Sequence, residues 1–242
     1  MKKSNGAASR VRLDKYVASV SDYSRTEVKR LLKQSHIRVN GETTKDPAQH
    51  VCSATDTVTL YDEPLALLAP RYFMLNKPQQ TICATEDSMH PTVIDLINEP
   101  NSEQLHIAGR LDKDTTGLVL ITDDGQWSHR ITSPNHDCIK TYRVSISESL
   151  SDTAKKQLAQ GVQLHNEDKP TRPATVITID TTTIKLSISE GKYHQVKRML
   201  AAVGNHVEQL HRISIGDITL DTELEEGEYR ALTKEEVMTV SL

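Results

Sequence analysis

The sequence predicts an α+β protein of two domains, in which a small amino-terminal domain precedes a larger one with a mixed, mainly antiparallel β-sheet and flanking helices. The chain has 242 residues, enough for one large core and a small satellite. Its first part reads as two short helices and a hairpin, whereas short alternating strands dominate from residue 71 onward. We therefore expect domains at 1–62 and 71–242, with a proline-bearing linker at 63–70.

The composition is that of a soluble globular protein, with 36% hydrophobic and 26% charged residues. No apolar run approaches the roughly 20 residues of a membrane span, and the basic start MKKSNGAASR lacks the apolar stretch of a signal peptide. These features predict a cytoplasmic protein without membrane contact. Cys52, Cys83 and Cys138 form no CxxC pair, which disfavours a disulfide framework or a structural zinc site and leaves packing as their role.

Charge is distributed unevenly along the chain. Residues 1–60 hold 11 Lys and Arg against 6 Asp and Glu, a local +5, and the remaining residues hold 18 against 27, or −9, which together make the net −4. A basic end on an acidic chain is typical of a module that docks on nucleic acid. A solvated basic face is the alternative.

The amino-terminal elements follow from spacing and capping signals. Leu13 and Val17 form the apolar stripe of a first short helix. Ser24 and Glu27 form a capping box, which starts a second helix that buries Val28, Leu31 and Leu32. The strand IRV and the turn Asn40-Gly41 then predict a hairpin. Basic residues lie away from these apolar stripes, namely Arg12 and Lys15 on the first helix and Arg25, Lys29, Arg30 and Lys33 on the second.

This order of helix, capped basic helix and IRVNG resembles the alpha-L (S4-like) RNA-binding domain over residues 10–57. The resemblance implies an RNA anchor whose basic helix lies against phosphates. The residues it implies for RNA binding are Arg12, Lys15, Arg25, Lys29, Arg30 and Lys33. Phosphate contacts position a protein on RNA while reading little sequence.

The larger domain reads as strands with a few helices. The predicted strands are RYFMLNKP, which Pro78 stops, the fully apolar GLVLIT, and the alternating TYRVSI and TIKLSIS. The predicted helices are HPTVIDLI with Pro91 in its first turn, SDTAKKQLAQG between Ser151 and Gly161, HQVKRMLAAVG ending at Gly204, and a last helix opened by Thr233-x-x-Glu236. Asp123-Asp124-Gly125 predicts a turn.

A loop with several charged side chains runs into the buried strand GLVLIT. Three interpretations compete for its carboxylates, Asp112 and Asp114. They can be turn residues, members of a calcium loop, or catalytic groups that a rigid strand orients. The calcium pattern matches at positions 1, 3, 5, 6 and 12, but it has Thr at the fifth position, Asp at the last and a β-type run inside, all of which oppose it.

Three ordered motifs favour catalysis. GRLDKDTTGL, KTYRV and EGKYHQVKRML resemble the signatures of the RsuA family of pseudouridine synthases. The resemblance implies that Asp112 is the essential carboxylate, that Tyr142 is the active-site tyrosine and that Lys197 pairs with Asp112. Most relatives carry Arg at the position of Lys197, so Arg198 is the alternative candidate for pairing with Asp112.

The resemblance also implies the reaction. A uridine of 16S (small-subunit) ribosomal RNA, flipped into a pocket, loses its C1′–N1 bond and reattaches through C5, with no cofactor and no metal. Asp112 either attacks C1′ or removes the C2′ proton, Tyr142 stacks on the base, and Arg110 fills the gap or holds a flanking phosphate. The expected partner is RNA of the assembling small subunit, and the enzyme is expected to be a monomer.

Three other functions are weighed against this one. An RNA-binding assembly factor without catalysis would need only the basic module, and it leaves the joint presence of Asp112, Tyr142 and Lys197 unexplained. A synthase acting on 23S ribosomal RNA would share the same motifs. A glycosidase using Asp112 and Asp114 is disfavoured by an aromatic content of only 4%.

Overall fold

The computed structural model describes residues 10–52, 55–65, 69–133 and 137–240. The chain divides into two compact units between Ala69 and Pro70. Among the helices in these ranges, none combines the length and apolar character required to cross a bilayer.

The described residues of the amino-terminal unit form two helices and six short strands. Its elements are β1 (Arg10–Arg12), α1 (Leu13–Ser19), α2 (Arg25–Lys33), β2 (Ile37–Val39), β3 (Glu42–Thr43), β4 (His50–Cys52), β5 (Val58–Leu60) and β6 (Glu63–Pro64). Four strands form a sheet in the order β3-β2-β5-β6, and β1 pairs with β4. The helices bury their apolar faces against these strands in one core.

The helix and hairpin signals of this unit are confirmed. The Ser24 hydroxyl accepts a hydrogen bond from the Glu27 backbone N–H, and the Glu27 carboxylate accepts one from the Ser24 N–H at 2.8 Å, so both halves of the capping box are present. Asn40 and Gly41 have φ of 53° and 83° and join β2 to β3. These positive angles are typical of Asn-Gly hairpin turns.

Two details of the prediction are wrong in this unit. Arg12 ends β1 and caps α1 instead of lying on the helix, because its backbone pairs with His50. Glu63–Pro64 belongs to the sheet, and the Tyr16 hydroxyl donates to the Leu65 carbonyl at 3.1 Å, so the predicted linker begins too early. Pro64 is tolerated there because β6 is an edge strand. Residues 66–68 of that linker and residues 1–9 of the predicted domain lie outside the described residues.

In the larger unit, the described residues form one sheet of nine strands. Its strands are β7 (Tyr72–Lys77), β8 (His106–Ala108), β9 (Thr116–Thr122), β10 (Lys140–Ile146), β11 (Thr175–Thr178), β12 (Thr183–Ile188), β13 (Val207–Ile215), β14 (Ile218–Thr219) and β15 (Tyr229–Ala231). Its helices are α3 (Gly125–Thr132), α4 (Asp152–Gln160), α5 (Gln195–Ala202) and α6 (Lys234–Thr239).

The strand order is β11-β12-β10-β13-β9-β7-β15, with β14 added to β13 and β8 added to β9. Among the described strands of this sheet, every pairing is antiparallel except β9 with β13, which is parallel. The mixed, mainly antiparallel sheet with flanking helices is therefore confirmed. All seven residues of β9 are buried, because both faces of the sheet are covered. Leu118 and Leu120 pack on one face with Trp127, whereas Val119 and Ile121 pack on the other.

Two local predictions in this unit are wrong. Asp124 does more than form a turn, since its carboxylate accepts the N–H groups of Gln126 and Trp127 and caps α3. HPTVIDLI forms no α-helix but a series of turns. The segment bridges to Ile82, whose N–H donates to Pro91 and whose carbonyl accepts from Val93, and these bonds draw the backbone into extended pairing.

Candidate active site

The loop between β8 and β9 carries Asp112. The Thr115 N–H donates to the Asp112 carbonyl at 3.1 Å, which closes a turn around the carboxylate. Leu111 is buried in the core, and its N–H donates to Cys83 Sγ at 3.2 Å. Asp112 is therefore held between a core residue and a rigid strand, with 31% of its side chain exposed.

Arg212 holds the amino-terminal half of this loop. Its guanidinium is buried and donates to the carbonyls of Gly109 at 2.9 Å, Arg110 at 3.3 Å and Leu118 at 2.8 Å. Gly117, which stands opposite Arg212 in the parallel pairing, has a φ of +100°, and a Cβ there would lie 2.3 Å from the Arg212 carbonyl oxygen. Glycine at this position is what allows the two strands to approach so closely.

Lys77 holds the other half. Its side chain is fully buried, and Nζ donates to the carbonyls of Pro78 at 2.9 Å, Lys113 at 3.3 Å and Thr115 at 2.8 Å. Burial lowers the Lys77 pKa from its ordinary value. The predictions from sequence missed both Lys77 and Arg212. The only signals that the sequence offers are that Lys77 is a cation at the end of an apolar strand and that Arg212 is a cation within an alternating strand.

Two basic side chains lie near the Asp112 carboxylate. Lys197 Nζ lies 3.9 Å from Oδ2, and His194 Nε2 lies 3.5 Å from Oδ1. Lys197 makes its shortest contacts with Asp114, at 2.6 and 2.7 Å. This hydrogen bond lowers the pKa of the Asp114 carboxyl. Sequence reasoning placed Lys197 near Asp112 but missed His194 and the role of Asp114 as a partner.

Arg198 points elsewhere, although it follows Lys197 in the chain. Its guanidinium donates to Glu167 Oε1 at 2.9 Å and to the Tyr193 carbonyl at 3.0 Å. Successive residues of a helix lie about 100° apart around its axis, so two neighbours in α5 cannot both face the same carboxylate. In this arrangement Lys197, and not Arg198, is the cation of the pair that lies within reach of Asp112.

A cavity of about 810 Å³ opens beside Asp112. Tyr142, in β10 opposite Arg212, lines it and is 8% exposed. Arg110, Asp112 and Tyr142 therefore share one cavity, as three of the predicted site residues. Its charged lining residues are Arg110, Lys113, Lys140, Lys192 and Arg212 against Asp112 and Glu190.

This lining has an excess of three positive charges, although the chain beyond residue 60 carries −9. A cavity of this sign attracts anions such as phosphates. Burial lowers the pKa of Lys140, whose Nζ donates to the Ile131 carbonyl at 3.3 Å. Across the described ranges, His, Cys, Asp and Glu side chains form no group of three that could hold a metal ion.

The basic residues predicted for the amino-terminal unit divide into two sets. Lys15, Lys29, Arg30 and Lys33 are exposed. Arg12 and Arg25 bind the buried carboxylate of Asp14, both through Oδ2, at 3.1 and 2.8 Å. Two partly exposed arginines thus hold the pKa of Asp14 well below its usual range. Their guanidinium groups join α1 to α2, which is a structural task that the sequence did not predict.

Comparison with known proteins gives consistent results for both units. Residues 71–202 match the family model described as RNA pseudouridylate synthase, and residues 11–58 match that of the S4 domain. The chain is 53% identical over 232 residues to the ribosomal small subunit pseudouridine synthase A of Escherichia coli K12, covering 95% of this chain and 100% of that protein.

A second relative and a solved structure are similar to this chain over nearly its full length. The Haemophilus influenzae protein of the same name is 47% identical over 228 residues, covering 94% of this chain and 98% of that protein. A crystal structure described as a pseudouridylate synthase superposes with a TM-score of 0.69 at 46% identity, covering 95% of this chain and 99% of that one.

Proposed function

Because this chain belongs to the RNA pseudouridylate synthase family, whose enzymes are isomerases, we propose that it converts a uridine of small-subunit ribosomal RNA into pseudouridine with Asp112 as the reacting carboxylate. The observation that carries the proposal is the position of Asp112. Its carboxylate opens into a cavity lined by Tyr142, with Lys197 and His194 within 4 Å.

The rigidity of the loop supports this role. Lys77 and Arg212 together donate six hydrogen bonds to backbone carbonyls around Asp112. A reacting group must be held within a fraction of an ångström of its productive position. The Lys197 ammonium also places a positive charge 3.9 Å from the carboxylate, and this attraction is stronger where water is excluded.

In the proposed reaction the C1′–N1 bond of the target uridine breaks, the uracil ring turns, and C5 bonds to C1′. Asp112 either attacks C1′ and is later displaced, or removes the C2′ proton and returns it. N1 gains a proton and C5 loses one, so the product is an isomer of the substrate. Tyr142 stacks on the ring, and its hydroxyl is the group proposed to reach the C5 proton.

Electrostatics supports an RNA substrate for both units. The cavity has an excess of positive charge. In the amino-terminal unit, the exposed side chains of Lys29, Arg30 and Lys33 lie along α2. In the proposal, Lys15, Lys29, Arg30 and Lys33 contact phosphates. Arg110, exposed beside Asp112, fills the gap that the flipped uridine leaves or holds the flanking phosphate.

The substrate is proposed from the relatives, whose names specify the ribosomal small subunit. We take the assembling small subunit in the cytoplasm as the place of action. One chain supplies Asp112, Tyr142 and Lys197, so a monomer is the proposed working unit.

Mapping of pseudouridine in ribosomal RNA tests this function. A strain lacking the gene should lose one pseudouridine in small-subunit RNA, and the intact gene but not an Asp112→Asn gene should restore it. Tritium release from RNA labelled at uridine C5 measures the same activity with purified protein. A loss confined to large-subunit RNA would contradict the proposed target, and an unchanged map with no tritium release would contradict the activity.

A further inference from the structure

An exposed aromatic stack lies at the cavity beside Asp112. Tyr193 lines the cavity and is 76% exposed. Its ring stacks on that of His194, with centroids 3.9 Å apart and planes inclined by 18°. His194 in turn lies 3.5 Å from Asp112. Since His194 covers only one face of the tyrosine ring, the other face is open to a ligand.

The segment that carries Tyr193 is braced. Gln195 is buried, its Oε1 accepts the Lys192 N–H at 2.7 Å, and its Nε2 donates to Glu190 Oε1 at 2.9 Å. The Tyr193 carbonyl accepts a hydrogen bond from Arg198 at 3.0 Å. Tyr193 is thus an exposed ring on an ordered backbone. A ligand that stacks on it therefore loses little binding free energy to ordering of this segment.

The backbone at the stack is itself unusual. His194 has a φ of 46°, in the left-handed region that residues other than glycine adopt infrequently. This residue caps α5, and its conformation turns the chain between the exposed Tyr193 and the helix that carries Lys197. The stack and the candidate catalytic cation are therefore built on consecutive parts of one rigid segment.

The cavity has room for more than one base. Its volume of about 810 Å³ lies in the upper part of the roughly 300–1,000 Å³ typical of ligand pockets. The target uracil occupies the part between Asp112 and Tyr142 in the proposed function. A base flipped out of folded RNA also leaves its former neighbours unstacked, and their faces then become available for stacking.

We propose that Tyr193, backed by His194, is a stacking platform for the nucleobase adjacent to the target uridine. This subsite rests on the proposed function, since it serves the same RNA strand. Stacking on an aromatic ring accepts any base because every base has a π-face. The platform therefore contributes affinity for an unpaired nucleotide next to the target, with purines bound more tightly because their faces are larger.

The test uses small-subunit RNA assembled by ligation, with the mapped uridine flanked by normal nucleotides or by an abasic ribose on its 5′ or 3′ side. Dissociation constants and single-turnover tritium release are measured for the unmodified chain, Tyr193→Ala and Tyr193→Phe. Ile177→Ala provides a control, because Ile177 is an exposed apolar residue of edge strand β11 outside the cavity.

With normal RNA, Tyr193→Ala should raise Kd by roughly 5- to 150-fold, which corresponds to about 1–3 kcal/mol. Removing one neighbouring base should raise the Kd of the unmodified chain by a similar factor. Tyr193→Ala with the abasic RNA should raise Kd no more than either change alone. Tyr193→Phe should retain the affinity for normal RNA, and Ile177→Ala should behave as the unmodified chain with every RNA.

Two negative results are distinguishable. If the unmodified chain forms pseudouridine while Tyr193→Ala binds normal RNA as tightly, or if the effects of Tyr193→Ala and of base removal simply add, the platform is disproved and the proposed function stands. If the unmodified chain forms no pseudouridine, both fail.

Discussion

Lys197 Nζ lies 2.6 Å from Oδ1 of Asp114 but 3.9 Å from Oδ2 of Asp112. The Asp114 side chain is 63% exposed and that of Asp112 is 31% exposed. An ion pair as exposed as Lys197 with Asp114 is worth only about 0–1 kcal/mol. Asp114 therefore holds the ammonium near Asp112 only weakly, and a substrate that excludes water strengthens the attraction between Lys197 and Asp112.

The first prediction concerns the two carboxylates of this loop. Asp112→Asn should reduce tritium release to background while RNA affinity and the fold are retained, because the amide keeps the shape but lacks the charge. Asp114→Asn is the matched control, with the same change two residues away, and should retain activity at a reduced level. Pseudouridine formation above background by purified Asp112→Asn would refute the assignment.

The second prediction concerns the cation. Lys197→Met should lower the single-turnover rate by at least about 100-fold, the typical cost of removing one preorganised electrostatic group. Lys197→Arg should retain activity, because it keeps the charge. Arg198→Met should lower the single-turnover rate much less, because Arg198 binds Glu167 and not Asp112. A larger decrease in single-turnover rate for Arg198→Met than for Lys197→Met would identify Arg198 as the partner of Asp112.

The third prediction separates two roles of Tyr142. Tyr142→Phe should bind RNA normally but release the C5 proton at least about 100-fold more slowly, which is the usual range for a missing acid–base group. Tyr142→Ala should in addition weaken RNA binding by about 1–3 kcal/mol, because the ring that stacks on the base is absent. Full activity of both variants in single-turnover assays would make Tyr142 an ordinary sheet residue.

The fourth prediction concerns Arg212 as a positioning residue. Arg212→Met should destabilise the larger unit by about 2–3 kcal/mol, because buried carbonyls lose their donor, and should lower the rate about 100-fold through misplacement of Asp112. Urea unfolding and single-turnover rates measure the two effects. A destabilised variant with a normal rate would show that Arg212 serves the fold alone.

The fifth prediction tests the amino-terminal unit as an RNA anchor. Deletion of residues 1–69 should leave a folded catalytic unit with weaker RNA binding, because the chain divides at Ala69. The log–log slope of affinity against salt should become shallower by roughly 0.7–0.9 for each phosphate that the shortened protein no longer neutralises. An unchanged affinity and an unchanged slope would leave α2 as a solvated face.

Charge reversal provides the matched comparison for that deletion. Lys29→Glu with Lys33→Glu should reproduce part of the decrease in affinity without changing the single-turnover rate at saturating RNA. Arg25 is unsuitable for such a test, because it binds the buried Asp14, and a glutamate beside Asp14 would destabilise the unit through repulsion between two carboxylates. Circular dichroism would establish that the double variant is folded.

Local signals in the sequence predicted most of the helices and strands. The capping boxes at Ser24 and Thr233, the Asn40-Gly41 turn and the apolar run of β9 each act within a few residues, so neighbours in the chain suffice to specify them. The predicted helix at HPTVIDLI failed because its backbone pairs with Ile82, a contact that its own residues do not encode.

By itself, the sequence determined the two-domain organisation, the mainly antiparallel sheet and the family, because motifs and hydrophobic periodicity can be read in chain order. Only the tertiary structure decided how the site is assembled. The parallel pairing of β9 with β13 brings Arg212 to the Asp112 loop, and the face of α5 that meets that loop selects Lys197 over Arg198. These relationships join residues up to 103 positions apart, and such contacts depend on the packing of whole elements and not on local sequence.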